Sequence, residues 1–539
     1  MRGLLLALLS FVCCGASAAT FTVTRFDDPL PGPCLASDCS LREAANAASA
    51  APDVDTIVLS AGTYNLTRTD PTPGSVEPEH GAVLINLGDV SIVGAGSALT
   101  RVRWNVAWAH TDGVFLFRRD ATAVLDGPQL IGMSISDGTS GCVRAMSIST
   151  AIRAFAIEDV VVENCQGAAF SAYHVNLEMT DTTIRDNGGT GLSLDGSVTV
   201  LTTNVHIRNN ARGVSIAGSV LGYLSNVDWV DDGRSKIEDN QASGDGGGIL
   251  VGSFASLQLA TVSTAPVGQR MSISNNTASG NGGGVYLQGH APFEQNSLER
   301  VVIAGNRAAN GGGVAAGLRV HVVDSEIAGN SATSGDGGGV WFFLNGTEAR
   351  AVRQVALRGN VAAGGGGAIS HDCGNVAVEN VSMDGNNAAN GRGQAIETLG
   401  NIDLRHATVR GNGTHGATPG VRKTYSTACA GKQLRIANSL ITERCASTVA
   451  GEIVSQGGNQ YGVAAGTCPA LQSDRRQSDD NVFGLRLGAY NGPFTVWGWS
   501  LGLAIKPQRN FGLTANCTTV DVRGVARSDG RCDAGAFEQ

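Results

Sequence analysis

Ile273-Ser274-Asn275-Asn276-Thr277-Ala278-Ser279-Gly280-Asn281-Gly282-Gly283-Gly284-Val285 and Ile303-Ala304-Gly305-Asn306-Arg307-Ala308-Ala309-Asn310-Gly311-Gly312-Gly313-Val314 are two copies of one pattern. An aliphatic residue stands three positions before an Asn. A Gly cluster and a second aliphatic residue follow. The first marker recurs as Val161-Asn164, Ile184-Asn187, Ile207-Asn210, Ile237-Asn240, Ile327-Asn330, Leu357-Asn360, Met383-Asn386 and Val409-Asn412. The second recurs at Gly246 to Ile249 and Gly337 to Val340, with a looser copy at Gly365 to Ile369. Between the markers lie Val- and Ile-rich runs such as Val320 to Val323 and Val376 to Val378, too short for helices. A variable repeat of short strands without crossover helices excludes βαβ units. It predicts an all-β solenoid of stacked parallel strands, in which stacking covers an inner face that one coil cannot bury alone.

The markers fit corners. Gly allows positive φ, and Asn both tolerates that conformation and bonds nearby backbone through its amide. The Asn residues are expected in the left-handed region and in a column up one edge, about 4.8 Å apart. A second polar column is expected from Asp245, Asn281, Asn310, Asp336 and Asn390.

Composition agrees. Of 539 residues, 74 are Gly, and charged residues are only 16%, which argues against solvated disorder. Gly has no three-residue period, so collagen is excluded. The formal charge of −9, with no dense basic block, argues against nucleic acid as a partner. No apolar run after the N-terminal stretch is long enough to be a transmembrane segment.

Met1-Arg2, the apolar run Leu4 to Val12 and Gly15-Ala16-Ser17-Ala18-Ala19 read as a removable export signal over residues 1–19. Its removal takes away Cys13 and Cys14 and leaves ten cysteines, an even count that favours disulfides in an exported chain. Proximity suggests Cys34 with Cys39, Cys142 with Cys165, and Cys517 with Cys532. Cys429, Cys445 and Cys468 compete for partners, and Cys373 is read as a disulfide cysteine.

A solenoid end must be capped. Ser40-Leu41-Arg42-Glu43 has capping-box spacing and opens a short Ala-rich helix that can cover the first coil. Residues 20–60 are therefore an N-terminal cap, 61–425 the coils, and 426–539 the C-terminal coils and closing segment. Cys39-Ser40-Leu41-Arg42-Glu43-Ala44 resembles the signature of CSLREA-domain proteins, exported bacterial right-handed parallel β-helix proteins, and this resemblance implies that fold for the solenoid. Asp521-Val522-Arg523-Gly524 with Cys532-Asp533-Ala534-Gly535-Ala536-Phe537-Glu538 resembles the close of choice-of-anchor Q domains. The coils look like polymorphic outer-membrane protein repeats within a pectin-lyase-like middle. This resemblance implies a secreted, extracellular or cell-surface bacterial protein, with the periplasm as the other destination. It supplies no reaction, because function lives in sites grafted on a fold.

Three residue sets test for catalysis. Asp231, Asp232, His415 and Arg435 follow a polygalacturonase-like order, but the flanking elements of that order are missing. Asp245 and Asp336 invite a calcium ion, but three coils separate them, so no cofactor is expected. His371 and Asp372 are strand neighbours and should face opposite ways. The longer coils should carry loops, which places Tyr223, Trp229 and the segment Val262 to Arg270 where function concentrates. Alternation puts a ring of Trp341-Phe342-Phe343 outside, where Trp341 can stack on a sugar. The reading is a non-catalytic, adhesin-like protein whose partner is a polysaccharide or cell-surface glycan; the catalytic set is left open. The alternative is a polysaccharide lyase or glycoside hydrolase, which would gather carboxylates or Arg residues from adjacent coils in one groove.

Overall fold

The computed structural model describes residues 18–538, apart from 51–53, 72–76, 87–88, 106–112, 120–128, 148–153, 219–224, 267, 290–294, 318, 344–348, 414–417, 478–484, 489–491, 494, 500–508 and 528–530. The export signal and Tyr223 lie outside the described residues.

Successive repeats stack in register as a right-handed parallel β-helix. Ile273 pairs with Ile303, Ile303 with Ile327, and Leu357 with Met383. Among the described residues the stack forms a bent 28-stranded sheet, a 14-stranded sheet and a six-stranded sheet. Side chains alternate across every strand, so the repeated aliphatics meet in one continuous core. No described helix is long and apolar enough to cross a membrane.

The corner chemistry differs from expectation by one residue. Nine of the ten marked Asn residues, Asn187 to Asn412, form a buried ladder. Each Nδ2 donates to the Oδ1 of the next, at 2.8 to 3.0 Å. The left-handed residue is the one before the ladder Asn: Asp186, Asn209, Asp239 and Asn275, then Gly305, Gly329, Gly359, Gly385 and Gly411, all with positive φ. The division of labour is physical. A buried amide is needed to satisfy corner backbone groups, while the exposed residue before it absorbs the turn.

Asn164 is therefore not in the ladder. It is exposed with φ 58°, and Cys165 takes the ladder position, donating its backbone N–H to Asn187 Oδ1 at 2.9 Å. The matching core residue is Val162, which pairs with Ile184, and not Val161. Buried Glu443 ends the ladder, its Oε1 accepting from Asn412 Nδ2 at 3.0 Å. The second polar column holds from Asp245 through Asn281 and Asn310 to Asp336. Gly365 and Arg392 continue it, and Asn390 stands exposed outside it.

The helix α1, Leu41–Ala48, caps the first coil. Ser40 Oγ accepts from the Glu43 backbone and Glu43 Oε2 from the Ser40 backbone. Buried Arg42 forms a two-pronged pair with Asp28 and donates to Gly81 O. At the other end, the closing residues fold back along the outside of the stack. Leu513 N–H bonds Asn438 Oδ1, Ala536 N–H bonds Thr408 Oγ1, and Thr518 Oγ bonds Asn380 Oδ1. Asn438, His406, Asn380 and Gln354 form a second positive-φ column, at the bend of the long sheet. Val496, Val522, Ala536 and Phe537 pack with Ala356 beside it.

Disulfides join Cys34 to Cys39, Cys142 to Cys165, Cys373 to Cys429, Cys445 to Cys468 and Cys517 to Cys532.

Candidate functional site

The 14-stranded sheet has one regular feature that positions function. The aliphatic residue after each Gly cluster points inward: Ile249, Val285, Val314, Val340, Ile369 and Ile396 are all fully buried. The next residue must then point outward. In strand order that outward column reads Leu250, Tyr286, Ala315, Trp341, Ser370, Glu397 and Arg422.

Trp341 is half-buried on this outer face, and Phe342 beneath it is fully buried. Ala315 is too small to fill the space between Tyr286 and Trp341, and the Phe343 ring spans it. Phe343 stacks on Tyr286 at 5.6 Å and 10°, and lies 5.0 Å from the Trp341 ring. Trp341 Nε1 donates to Asp372 Oδ1 at 3.4 Å. Asp336, one coil before Asp372, accepts the Gly365 N–H through Oδ1. Burial pushes the Asp372 carboxyl up to about 6, and Asp336 adds to the rise, against the Trp341 hydrogen bond and the Arg350 charge.

Glu397 follows two strands after Trp341. A Cβ on Gly365 would meet Glu397 Cγ at 2.9 Å, so this side chain leans back over the Gly365 corner towards Asp336. Its Oε1 accepts from Thr424 Oγ1 at 2.6 Å, while Oε2 is buried without a hydrogen bond. Arg392 and Arg422 lie 3.4 and 3.8 Å from its carboxylate. Burial raises its pKa, against the Thr424 hydrogen bond and those two Arg residues. Asp336 and Asp372, both partly exposed, and Glu397, 2% exposed, thus come from three successive coils and lie on the same side of the sheet as the three rings.

Trp229 is not a contact residue. It is 1% exposed, and its Nε1 donates to Thr202 Oγ1 at 2.8 Å inside the coil. The outward positions of its strand are Asn226, Asp228 and Val230, so alternation turns the indole inward. The polygalacturonase-like set, which the missing flanking elements argued against, does not assemble. Asp231 is fully buried and bonded to Thr202 and the Gly233 N–H. Arg435 lies coils away beside Asp403 at 3.3 Å, and His415 is outside the described residues. His371 points inward against Arg350 and Thr398, and burial holds its imidazole down to about 3. The segment Val262 to Arg270 packs towards Pro493 and Arg523 around a cavity of about 230 Å³. Arg270 there pairs with Asp324 at 2.9 Å, across two coils.

Tyr286 and Glu397 escaped the sequence reading. Their signal was present, since each stands immediately after the aliphatic residue that enters the core behind a corner. For Glu397 the Gly cluster has decayed to Gly391-Arg392-Gly393-Gln394-Ala395, which hid it.

Residues 270–288 match the Chlamydia polymorphic membrane protein repeat. A comparison with curated proteins finds no match. Among solved structures, the chain is similar to the mannuronan C-5 epimerase AlgE4 A-module of Azotobacter vinelandii, at 15% identity and a TM-score of 0.38. That match covers 70% of this chain and 95% of the other. The catalytic unit of the GH87 α-1,3-glucanase of Streptomyces thermodiastaticus is similar at 13% identity and a TM-score of 0.37, over 86% and 71%. Pectate lyase Pel9A is similar at 12% identity and a TM-score of 0.24, over 97% and 98%. At these identities the chemistry must be argued from this chain's own residues.

Proposed function

We propose that this is an exported β-helix protein of the CSLREA and choice-of-anchor Q type, whose 14-stranded sheet binds a polysaccharide or cell-surface glycan without cleaving it. The observation that carries the reading is the outward Tyr286–Phe343–Trp341 stack. Trp341 and Phe343 are partly exposed beside Tyr286, which is 9% exposed, and an aromatic ring on the outer side of the sheet suits the apolar face of a sugar ring. The flanking, partly exposed Asp336 and Asp372 supply acceptors for hydroxyls. The five disulfides support passage through an oxidising compartment. The test is a glycan array with the intact protein and a Trp341→Ala variant. Binding lost in the variant supports the reading, and silence of the intact protein on every glycan refutes it.

One observation favours a second reading, glycan hydrolysis. Asp372 and Glu397 both hold protons more tightly than ordinary carboxyls. They sit one coil apart and offset by two residues along the strand, which places their backbones about 8 Å apart. Two carboxyl groups on opposite sides of a glycosidic bond can act as acid and base across an intervening water. A reducing-sugar assay decides: product formation that disappears in both Asp372→Asn and Glu397→Gln supports hydrolysis, and no product from an array-positive glycan removes it.

A further inference from the structure

The charge around the ring stack is not required by the fold. In the second polar column the same structural work is done by Asn281 and Asn310, each accepting a backbone or amide N–H from the next coil through Oδ1. Asp336 accepts the Gly365 N–H with the equivalent oxygen, so an Asn there would serve equally well. Its negative charge is surplus to the corner. Asp372 likewise needs only a carbonyl-type oxygen to receive the Trp341 N–H. Among the described residues, neither carboxylate makes an ion pair, and the opposing charge nearest to Asp372 is Arg350, which is buried beneath the sheet. At the far end of the stack, Asp245 stands by Tyr286, with Arg212 against it. The half-buried Trp341 ring, whose π-system attracts cations, therefore stands beside two carboxylates that the fold does not neutralise.

Resting on the glycan reading above, we infer that the ligand is a glycan bearing free amino groups, a de-N-acetylated hexosamine polymer, with a sugar ring on Trp341 and its ammonium groups against Asp336 and Asp372. Neutral sugars would use that ring alone. Uronate polymers would meet like charge.

The test is titration calorimetry of the intact protein with glucosamine oligomers, N-acetylglucosamine oligomers of equal length and oligogalacturonate, at low and high salt. The amine-bearing oligomer should bind at least about tenfold more tightly than the acetylated one, and added salt should shrink the gap. The Asp336→Asn, Asp372→Asn double variant should remove most of the preference, because both amides keep an acceptor oxygen and lose the charge. Trp341→Ala should weaken both oligomers. Equal affinity for the acetylated and free-amine oligomers, or tighter binding of oligogalacturonate, overturns this inference and leaves glycan binding standing. Failure to bind any of the three, with silence on the glycan array, overturns the underlying reading as well.

Discussion

Replacing Asn306 with Ala measures how far the fold depends on its corner ladder. Asn306 is fully buried, in the middle of the nine. Its Nδ2 donates to Ile273 O at 2.9 Å and to Asn330 Oδ1 at 3.0 Å. Its Oδ1 accepts from Asn276 N–H at 2.9 Å and Asn276 Nδ2 at 3.0 Å. Ala removes all four bonds and leaves the Asn276 backbone N–H without that acceptor. At about 1 kcal/mol for each net hydrogen bond, the loss is about 4 kcal/mol. Stacked coils behave as a one-dimensional array, so weakening one central interface should also broaden or split the transition. Urea unfolding followed by circular dichroism, with exposed Arg307→Ala as control, reads both effects. Asn306→Asp sharpens the test: it keeps the shape and the acceptor but cannot donate when ionised. Burial would hold its folded pKa above the unfolded value of about 3.9. The variant should then be most stable below that value and lose stability as pH rises towards the folded pKa. A loss under about 1 kcal/mol for Asn306→Ala, with a single unchanged transition, would refute the ladder as an organiser of the stack.

Glu443 offers a pH test of the ladder's end. Burial pushes its pKa up to about 7, against the Asn412 hydrogen bonds. The folded state therefore keeps a proton that the unfolded chain releases, so stability should fall as pH rises from about 4.5 to about 7. Glu443→Gln should flatten thermal melts across that window; an unchanged slope would assign it to other groups. Serine replacement of Cys142 and Cys165, which close a loop of sequence separation 23, should cost about 3 kcal/mol in denaturant titrations, and no loss would refute their role in tying the early coils. Trp229→Ala should destabilise by about 3 to 5 kcal/mol and spare glycan affinity in the folded fraction, whereas Trp341→Ala should do the reverse. Equal effects of the two on binding would contradict their opposite orientation.

The repeat period, the absence of crossover helices and the alternating aliphatics were legible because each is a local property of the chain. Any stretch with two or three short strands and a corner per coil can hide its apolar face only by stacking. The capping box at Ser40 and Glu43 was legible for the same reason, since its partners lie three residues apart. The one-residue distinction between Asn164 and Cys165 was not. Both the left-handed position and the ladder position accept Asn, and only pairing with Asn187 in the next coil separates them. Trp229 could have been placed by its polar neighbours Asn226 and Asp228, but a single-residue slip would have turned it outward. By itself, the sequence determined that this chain winds into stacked parallel coils with an Asn-rich edge. Tertiary structure alone decided that Asp336, Asp372 and Glu397, carried on three separate coils, share a face with Tyr286, Trp341 and Phe343. It also decided that residues after Phe511 return along the bend from Asn438 towards Gln354. Both depend on how much chain each loop takes up between strands, and that is settled only when one coil lands on the next.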